Sequence, residues 1–264
     1  MKWEELTTQE IDEIDRQTVV VLPIAAVEQH GAHLPLSTDC TIGMHLLETA
    51  ERRCGADILI LPQIKVCCSD HHMDFPGTLS VRHETFLAYA EDILRSVMAH
   101  GFTTILVFNS HGGNQAIARV LVDKLGNENR HCRIALLTWW TLAAPELAAV
   151  RESAPSGVNH ACEFETSLML HAAPGTVRTD LIGGMSIAPT ADWAEEDMLR
   201  PARGTLFRTM KEKSGGSGTV GDPSLATEAK GAAITAAVVD ALERVISDLR
   251  RMPRGRWTRE EKAP

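Results

Sequence analysis

The segment VFNSHGGN at 107–114 brings one histidine, two glycines and three polar side chains to the end of an apolar run. The run 104–108 reads as a strand that stops at Asn109, and a helical pattern resumes at Gln115. In a parallel α/β sheet, ligands bind in the crevice beyond the carboxyl ends of the strands. His111 at such an end could ligate a metal or move a proton. Gly112 and Gly113 would let the backbone adopt turns closed to other residues and approach a bound ion or substrate. Taken alone, the segment reads equally well as a turn into a helix with an incidental surface histidine.

Two further segments have the same character. The run 18–26 (TVVVLPIAA) ends in Val27-Glu28-Gln29-His30-Gly31-Ala32-His33, and Asp39 follows shortly after. On an extended chain Glu28 and His30 point to the same side, because side chains alternate with period two. Asp39 precedes a helical stretch, so its carboxylate either caps that helix or binds an ion. The third segment, at 160–166, supplies His160, Cys162, Glu163 and Glu165.

Glu28, His30, Asp39, His111 and Glu163 form a mixed oxygen and nitrogen set. Such a set suits zinc, manganese or iron, whereas an all-oxygen shell suits magnesium or calcium. Five protein ligands exceed what one catalytic zinc takes, which is three plus water. They fit two ions about 3.5–4 Å apart with one bridging carboxylate, and Asp39 is the candidate bridge. Zinc is expected in at least one position. Singly, Glu28 or Asp39 reads as a capping or surface carboxylate; jointly the five point to metal. Glu165 reads as a helix-start carboxylate or one that orients a ligand histidine. Two other classes stay open: a metal-free thiol enzyme using Cys162 beside His160, and a non-catalytic binding subunit.

The elements that must position these groups alternate. Apolar runs at 18–26, 57–61, 104–108 and 133–138 are separated by helical patterns at 41–53, 83–100 and 115–127. That rhythm predicts βαβ units and a mainly parallel sheet, an α/β fold. A helix is expected at 165–172. The stretch 183–224 is rich in Gly, Pro and charge and reads as an irregular excursion that covers a site or meets another subunit, with one short helix near 191–199. A long last helix, 225–252, carries Ile234, Val238, Leu242, Val245 and Leu249 on one face. The tail 253–264 reads as frayed.

At 264 residues, 44% hydrophobic and 23% charged, the chain suits one globular domain, 1–264. A net charge of −9 argues against a nucleic-acid partner, which calls for a basic stripe. None of the six cysteines forms a CxxC pair, so a zinc ribbon or redox dithiol is not expected. No apolar segment approaches the ~20 residues of a membrane helix, and the acidic N-terminus lacks the layout of a signal peptide. A cytoplasmic location without membrane contact is the expectation.

Five motifs in order, EQHGAHLPLSTD (28–39), DFPGTLSV (74–81), NSHGGN (109–114), HACEFETSLML (160–170) and GDPSLATEAKG (221–231), resemble the creatininase (creatinine amidohydrolase) family over essentially the whole chain. The resemblance implies a three-layer α/β/α sandwich, a two-metal hydrolytic site and a homohexamer. It implies that Glu28, Asp39 and His111 hold one ion, that His30, Asp39 and Glu163 hold the other, and that His160 transfers protons. It also implies hydrolysis of a small polar, cyclic amide by metal-activated hydroxide, or in other members of a formamide or a cyclic sugar-like ketone.

The chain departs from creatininase itself and resembles a branch with HGGN and HAGE-type motifs. Gly113 stands where creatininase has a metal-binding glutamate, Cys162 where the branch has glycine, and His71 where a glutamate is common. Ser156 occupies the position of creatininase's substrate-gating tryptophan, which disfavours creatinine as substrate. Trp139 and Trp140 read as strand-end packing. His72 or His71 either lines the pocket or lies on the surface. Gly112, Gly113, Glu165 and His72 are the candidate substrate-facing or ligand-orienting residues. Arg200, Arg203 and Arg208 read as solvated loop charges, with an anion site as the alternative.

Overall fold

After α1 (Thr8–Glu13), closed at its start by the reciprocal Thr7–Glu10 capping pair, the chain enters β1 (Val19–Ile24), which is buried at every position. Val19 and Val21 point into one core, and Val20, Leu22 and Ile24 into another. A strand covered on both faces has no polar side, which is why this segment reads as a continuous apolar run. The computed structural model describes residues 1–252, so the tail expected at 253–264 lies outside the described residues.

The chain continues through α2 (Thr38–Cys54), β2 (Ile58–Ile60), α3 (His83–Ala99), β3 (Thr104–Asn109), α4 (Gln115–Glu128) and β4 (Arg133–Thr138). The four strands form one parallel sheet in the order β2-β1-β3-β4, with Val20 opposite Ile105 and Asn109 opposite Thr138. Beyond Ile24 the Ala25 N–H donates to Ile64 O, at 3.0 Å, instead of to β3, so the strand ends before the expected position 26.

Two short helices, α5 (Trp139–Leu142) and α6 (Ala144–Val150), precede β5 (Val158–His160) and α7 (Glu163–Ala172). The chain then passes α8 (Met210–Lys213) and β6 (Val220–Gly221) before α9 (Glu228–Arg251). The apolar faces of α2, α6, α7 and α9 cover the Val19/Val21 side of the sheet, and those of α3 and α4 the Val20/Leu22 side. The result is the expected α/β/α sandwich with a parallel sheet. The face of α9 has one change: Ile246 is buried and Val245 only half-buried.

In the 183–224 excursion the helix expected at 191–199 is only a single 3-10 turn at Asp192–Ala194, and the regular pieces are α8 and β6. The excursion is tied back by β6, which pairs antiparallel with β5, placing Val220 opposite His160. Among the described residues, no helix is long and apolar enough to cross a membrane.

Candidate metal centre

The strand order reverses between β1 and β3, since β2 lies on one side of β1 and β3 on the other. Such a switch point opens a crevice at the carboxyl ends of the two strands. Glu28 and His30 follow β1, His111 follows β3, and Asp39 sits in the first turn of α2. His160 ends β5, and Glu165 lies in the first turn of α7. All six side chains are buried and meet beyond the sheet.

Asp39 is the centre of the group. Its Oδ1 lies 3.1 Å from His30 Nε2, and its Oδ2 lies 3.1 Å from His111 Nδ1. Glu28 Oε1 is 3.2 Å from the same His111 nitrogen. The far nitrogen of each ring faces a backbone carbonyl: His30 Nδ1 is 3.1 Å from Glu28 O, and His111 Nε2 is 3.1 Å from Cys68 O. Each far nitrogen therefore carries the proton and donates it. In the neutral rings the lone pairs of His30 Nε2 and His111 Nδ1 are aimed at the two different oxygens of Asp39. Carbonyl acceptors behind ligand histidines are how metal sites fix the tautomer.

His160 is set in the same way. Its Nε2–H donates to Gln29 O at 2.8 Å, leaving Nδ1 unprotonated and 3.8 Å from Glu28 Oε1. The Gln29 amide is oriented by accepting the Gly31 N–H at 3.0 Å, and its own N–H donates to His72 Nδ1, also at 3.0 Å. His72 Nε2–H then faces Glu28 Oε1 at 3.3 Å. Gln29 thus sets the tautomer of His72 and, through its carbonyl, that of His160. Its position inside EQHG was the signal; its role was not anticipated.

The charges explain what such a cluster needs. Burial works against a charged His30, but Asp39, Glu165 and Glu28 outweigh it and push the ring up to about 9. His111 is likewise raised despite burial, by Glu28 and Asp39. Asp39 is held below the usual carboxylate range by those two rings, against the effect of burial. Burial, with the like charge of Asp39 and Glu28, pushes Glu165 up to about 7 against the pull of His30. His160 is lowered by burial and by the neighbouring His30. In the metal-free chain, protons on His30 and His111 do what a cation would do.

Glu163 requires a correction. Its carboxylate accepts the Glu152 and Ser153 N–H groups, each at 2.9 Å, and pairs with Lys230 on α9. It faces away from the cluster and is not placed to ligate an ion with His30. The carboxylate that meets His30 and His160 is Glu165. Ala161, in the left-handed region at φ 50°, turns the chain between His160 and α7 and donates its N–H to Glu165 Oε2. A non-glycine residue there carries a strain of order 1 kcal/mol. The turn, rather than the strain, sets where α7 starts.

Other expectations change too. Cys162 is fully buried, burial holds its thiol well above its ordinary range, and it does not line the cavity; the thiol-enzyme reading has no support. Neither Gly112 nor Gly113 has positive φ. Gly113 is needed for close approach: a Cβ there would stand 2.4 Å from His111 Nε2 and 2.5 Å from Cys68 O, disrupting the bond that orients His111. Gly112 has open space around it. His72 is buried against Glu28 and half-buried His71 packs beside it, so both line the cavity and neither is a surface histidine.

A cavity of about 640 Å³ opens above the cluster. Trp140, Asn159 and Met198 form part of its wall, and Arg200, Arg203 and Lys213 reach it from the excursion. Trp139 is fully buried as expected, but Trp140 faces the cavity. Arg200 and Arg203 are not merely solvated, whereas Arg208 lines a separate small recess.

A model of the creatininase family, described as creatinine amidohydrolase, matches residues 4–246. The chain belongs to the creatininase family. It is 32% identical over 227 residues to a mycofactocin precursor peptide peptidase of Mycolicibacterium smegmatis, covering 84% of this chain and 81% of that protein. It is 28% identical over 206 residues to a creatinine amidohydrolase of Pseudomonas putida, covering 71% of this chain and 78% of the relative. Among solved structures, a protein of Bacteroides fragilis assigned as a creatinine amidohydrolase superposes with TM-score 0.80 at 25% identity, over 96% of this chain and 97% of its own. Creatininase structures similar in fold, at 24% identity and TM-score 0.76, include a manganese form and a Zn–Zn form, each covering 95% of this chain.

This creatininase-family site fits metal on its own geometry. Glu28 Oε2 is buried and makes no hydrogen bond, an expensive arrangement for a carboxylate oxygen unless a cation meets it. Metal bonds of about 2.0–2.2 Å put neighbouring ligand atoms roughly 2.8–3.6 Å apart, from octahedral to tetrahedral geometry. The contacts of 3.1–3.2 Å around Asp39 and His111 have that spacing.

Proposed function

We propose that the protein is a two-metal hydrolase that cleaves the amide bond of a small polar substrate. The observation that carries this reading is Asp39, whose two oxygens each face the ring nitrogen of a different histidine. Glu28, Asp39 and His111 would hold one divalent ion; His30 and Glu165, which cluster with His160, would hold the other, with Asp39 reaching it beside His30. Mixed nitrogen and oxygen donors suit zinc or manganese. Divalent ions at such a site supply Lewis acidity toward a carbonyl oxygen and acidify nearby water.

The chain's own residues do the rest. Asp39 and Glu28 fix the spacing of the donor atoms, while the carbonyls of Glu28 and Cys68 keep His30 and His111 in the required tautomers. His160 offers its unprotonated Nδ1 at the cavity floor, where it accepts a proton and passes it to the departing nitrogen. Such transfer is typically worth roughly 10²–10⁴-fold in rate. Gly112 and Gly113 line the cavity at the start of α4, where backbone N–H groups favour developing negative charge on a carbonyl oxygen.

The cavity volume, about 640 Å³, lies in the range that accommodates drug-sized ligands. It favours an amide with an extended part over a lone small ring. The test is a panel of short peptides and cyclic amides offered to chelator-treated protein before and after restoring zinc or manganese. Activity that appears only with restored metal supports the reading; activity that survives chelation overturns it.

A further inference from the structure

We propose that Arg203 binds a carboxylate of the substrate, so that the amides this site takes are anionic: acylated amino acids, or peptides whose free C-terminus lies near the scissile bond. The inference rests on the two-metal reading above and names its substrate class.

The first support is the charge left over at the cavity mouth. Glu196 is paired with Lys213 at 2.6 Å, and Glu195 with Arg200 at 2.9 Å. Asp197 is paired with Arg151 at 2.9 Å and accepts the Ser156 and Leu199 N–H groups. Arg203 also lines the cavity, and among the described residues it makes no ion pair or side-chain hydrogen bond. Every acid lining the mouth already has its own cation, and one guanidinium remains over.

The floor points the same way. Glu28, Asp39 and Glu165 bring three negative charges, and two divalent ions would bring four positive ones, leaving one positive charge when the histidines are neutral ligands and before any bound water ionises. Floor and mouth would both attract an anion, and a cleft of one sign raises the local concentration of oppositely charged ligand. The wall between them is apolar where Trp140, Met198 and Met210 line it, which suits the body of an amino-acid residue. A single free guanidinium, planar and forked, matches a carboxylate in both charge and shape.

The experiment compares short apolar peptides in two forms, free acid and C-terminal carboxamide, on metal-loaded wild type, Arg203→Ala and Arg203→Lys. Turnover and calorimetric binding are both measured. A charged hydrogen bond at an exposed site predicts about a 10-fold higher KM or Kd for the carboxamide on wild type. Arg203→Ala should impose the same loss on the free acid, abolish the difference between the two forms, and be partly rescued by Arg203→Lys. Equal affinity of wild type for the two forms, or an Arg203→Ala protein that keeps the preference for the free acid, overturns the assignment. Calorimetry decides this whether or not a peptide is cleaved. Absence of turnover on every amide with both metals restored would instead count against the hydrolase reading.

Discussion

Lys230→Met separates the two acidic residues of α7 by what each one does. Lys230 Nζ donates to Glu163 and, at 2.7 Å, to Leu225 O; its side chain is 4% exposed and that of Glu163 0%. Methionine fills much of the same space but leaves the Glu163 charge buried with only the Glu152 and Ser153 N–H groups. Removing one partner of a buried pair costs about 3–5 kcal/mol. The two surviving backbone bonds put the expected loss near the lower end, about 3 kcal/mol. For a chain of this size each kcal/mol moves Tm by roughly 2–4 °C, so the midpoint should fall by about 6–12 °C. Bound metal, measured by elemental analysis on the folded fraction, should not change. The double variant Glu163→Gln/Lys230→Met removes the buried charge and should recover most of the loss, which covers the case in which the single variant folds poorly. A Tm drop below about 2 °C, or metal lost in step with the substitution, would refute the assignment of Glu163 as a structural partner of α9.

Glu165→Gln should selectively weaken one ion in a competition with chelator, while Glu163→Gln leaves metal content intact; the reverse pattern would restore the ligand set expected from the sequence. His160→Ala should keep both ions and lose turnover by about 10²–10⁴-fold; loss of an ion would make it a ligand, and an unimpaired rate would assign the proton transfer elsewhere. His33, buried and bonded to Thr166 Oγ1 at 2.8 Å, is pushed down to about 4 by burial and by the charge of His30. Its folded-state value lies below the ordinary 6.5, so the unfolded chain takes up the proton first as pH falls. Stability that His33 leaves intact above pH 6.5 is lost between 6.5 and about 4. In calorimetry of the metal-free protein, Tm of wild type should fall more steeply over that window than Tm of His33→Gln; parallel curves would contradict this.

Much of the site was legible because strand ends are legible. The apolar runs into Glu28 and His30 and into His111 marked two adjacent carboxyl ends, and a parallel sheet brings such ends together. Asp39 could be read as capping or ligating, and only the fold shows that its oxygens lie against two imidazole rings. The Glu163/Glu165 question could not be read in the same way. Residues two apart on a helix differ by about 200° around its axis, so one faces the site when the other faces away. Which one does so depends on the phase at which α7 starts, and that is set by the left-handed turn at Ala161 and by the pull of Lys230 from 67 positions away. The cavity wall was illegible for a related reason. The excursion has no periodicity, and it reaches the site through contacts far apart in sequence: β6 pairs with the strand that carries His160, Met198 N–H donates to Val158 O, and Asp197 pairs with Arg151.

The central claim is that Asp39 joins two cations, and it is tested most directly by anomalous diffraction from crystals of metal-loaded protein at the zinc and manganese edges. Two peaks per chain are predicted, one between Glu28, Asp39 and His111 and the other between Asp39, His30 and Glu165. A single peak, or two that do not share Asp39, would contradict it.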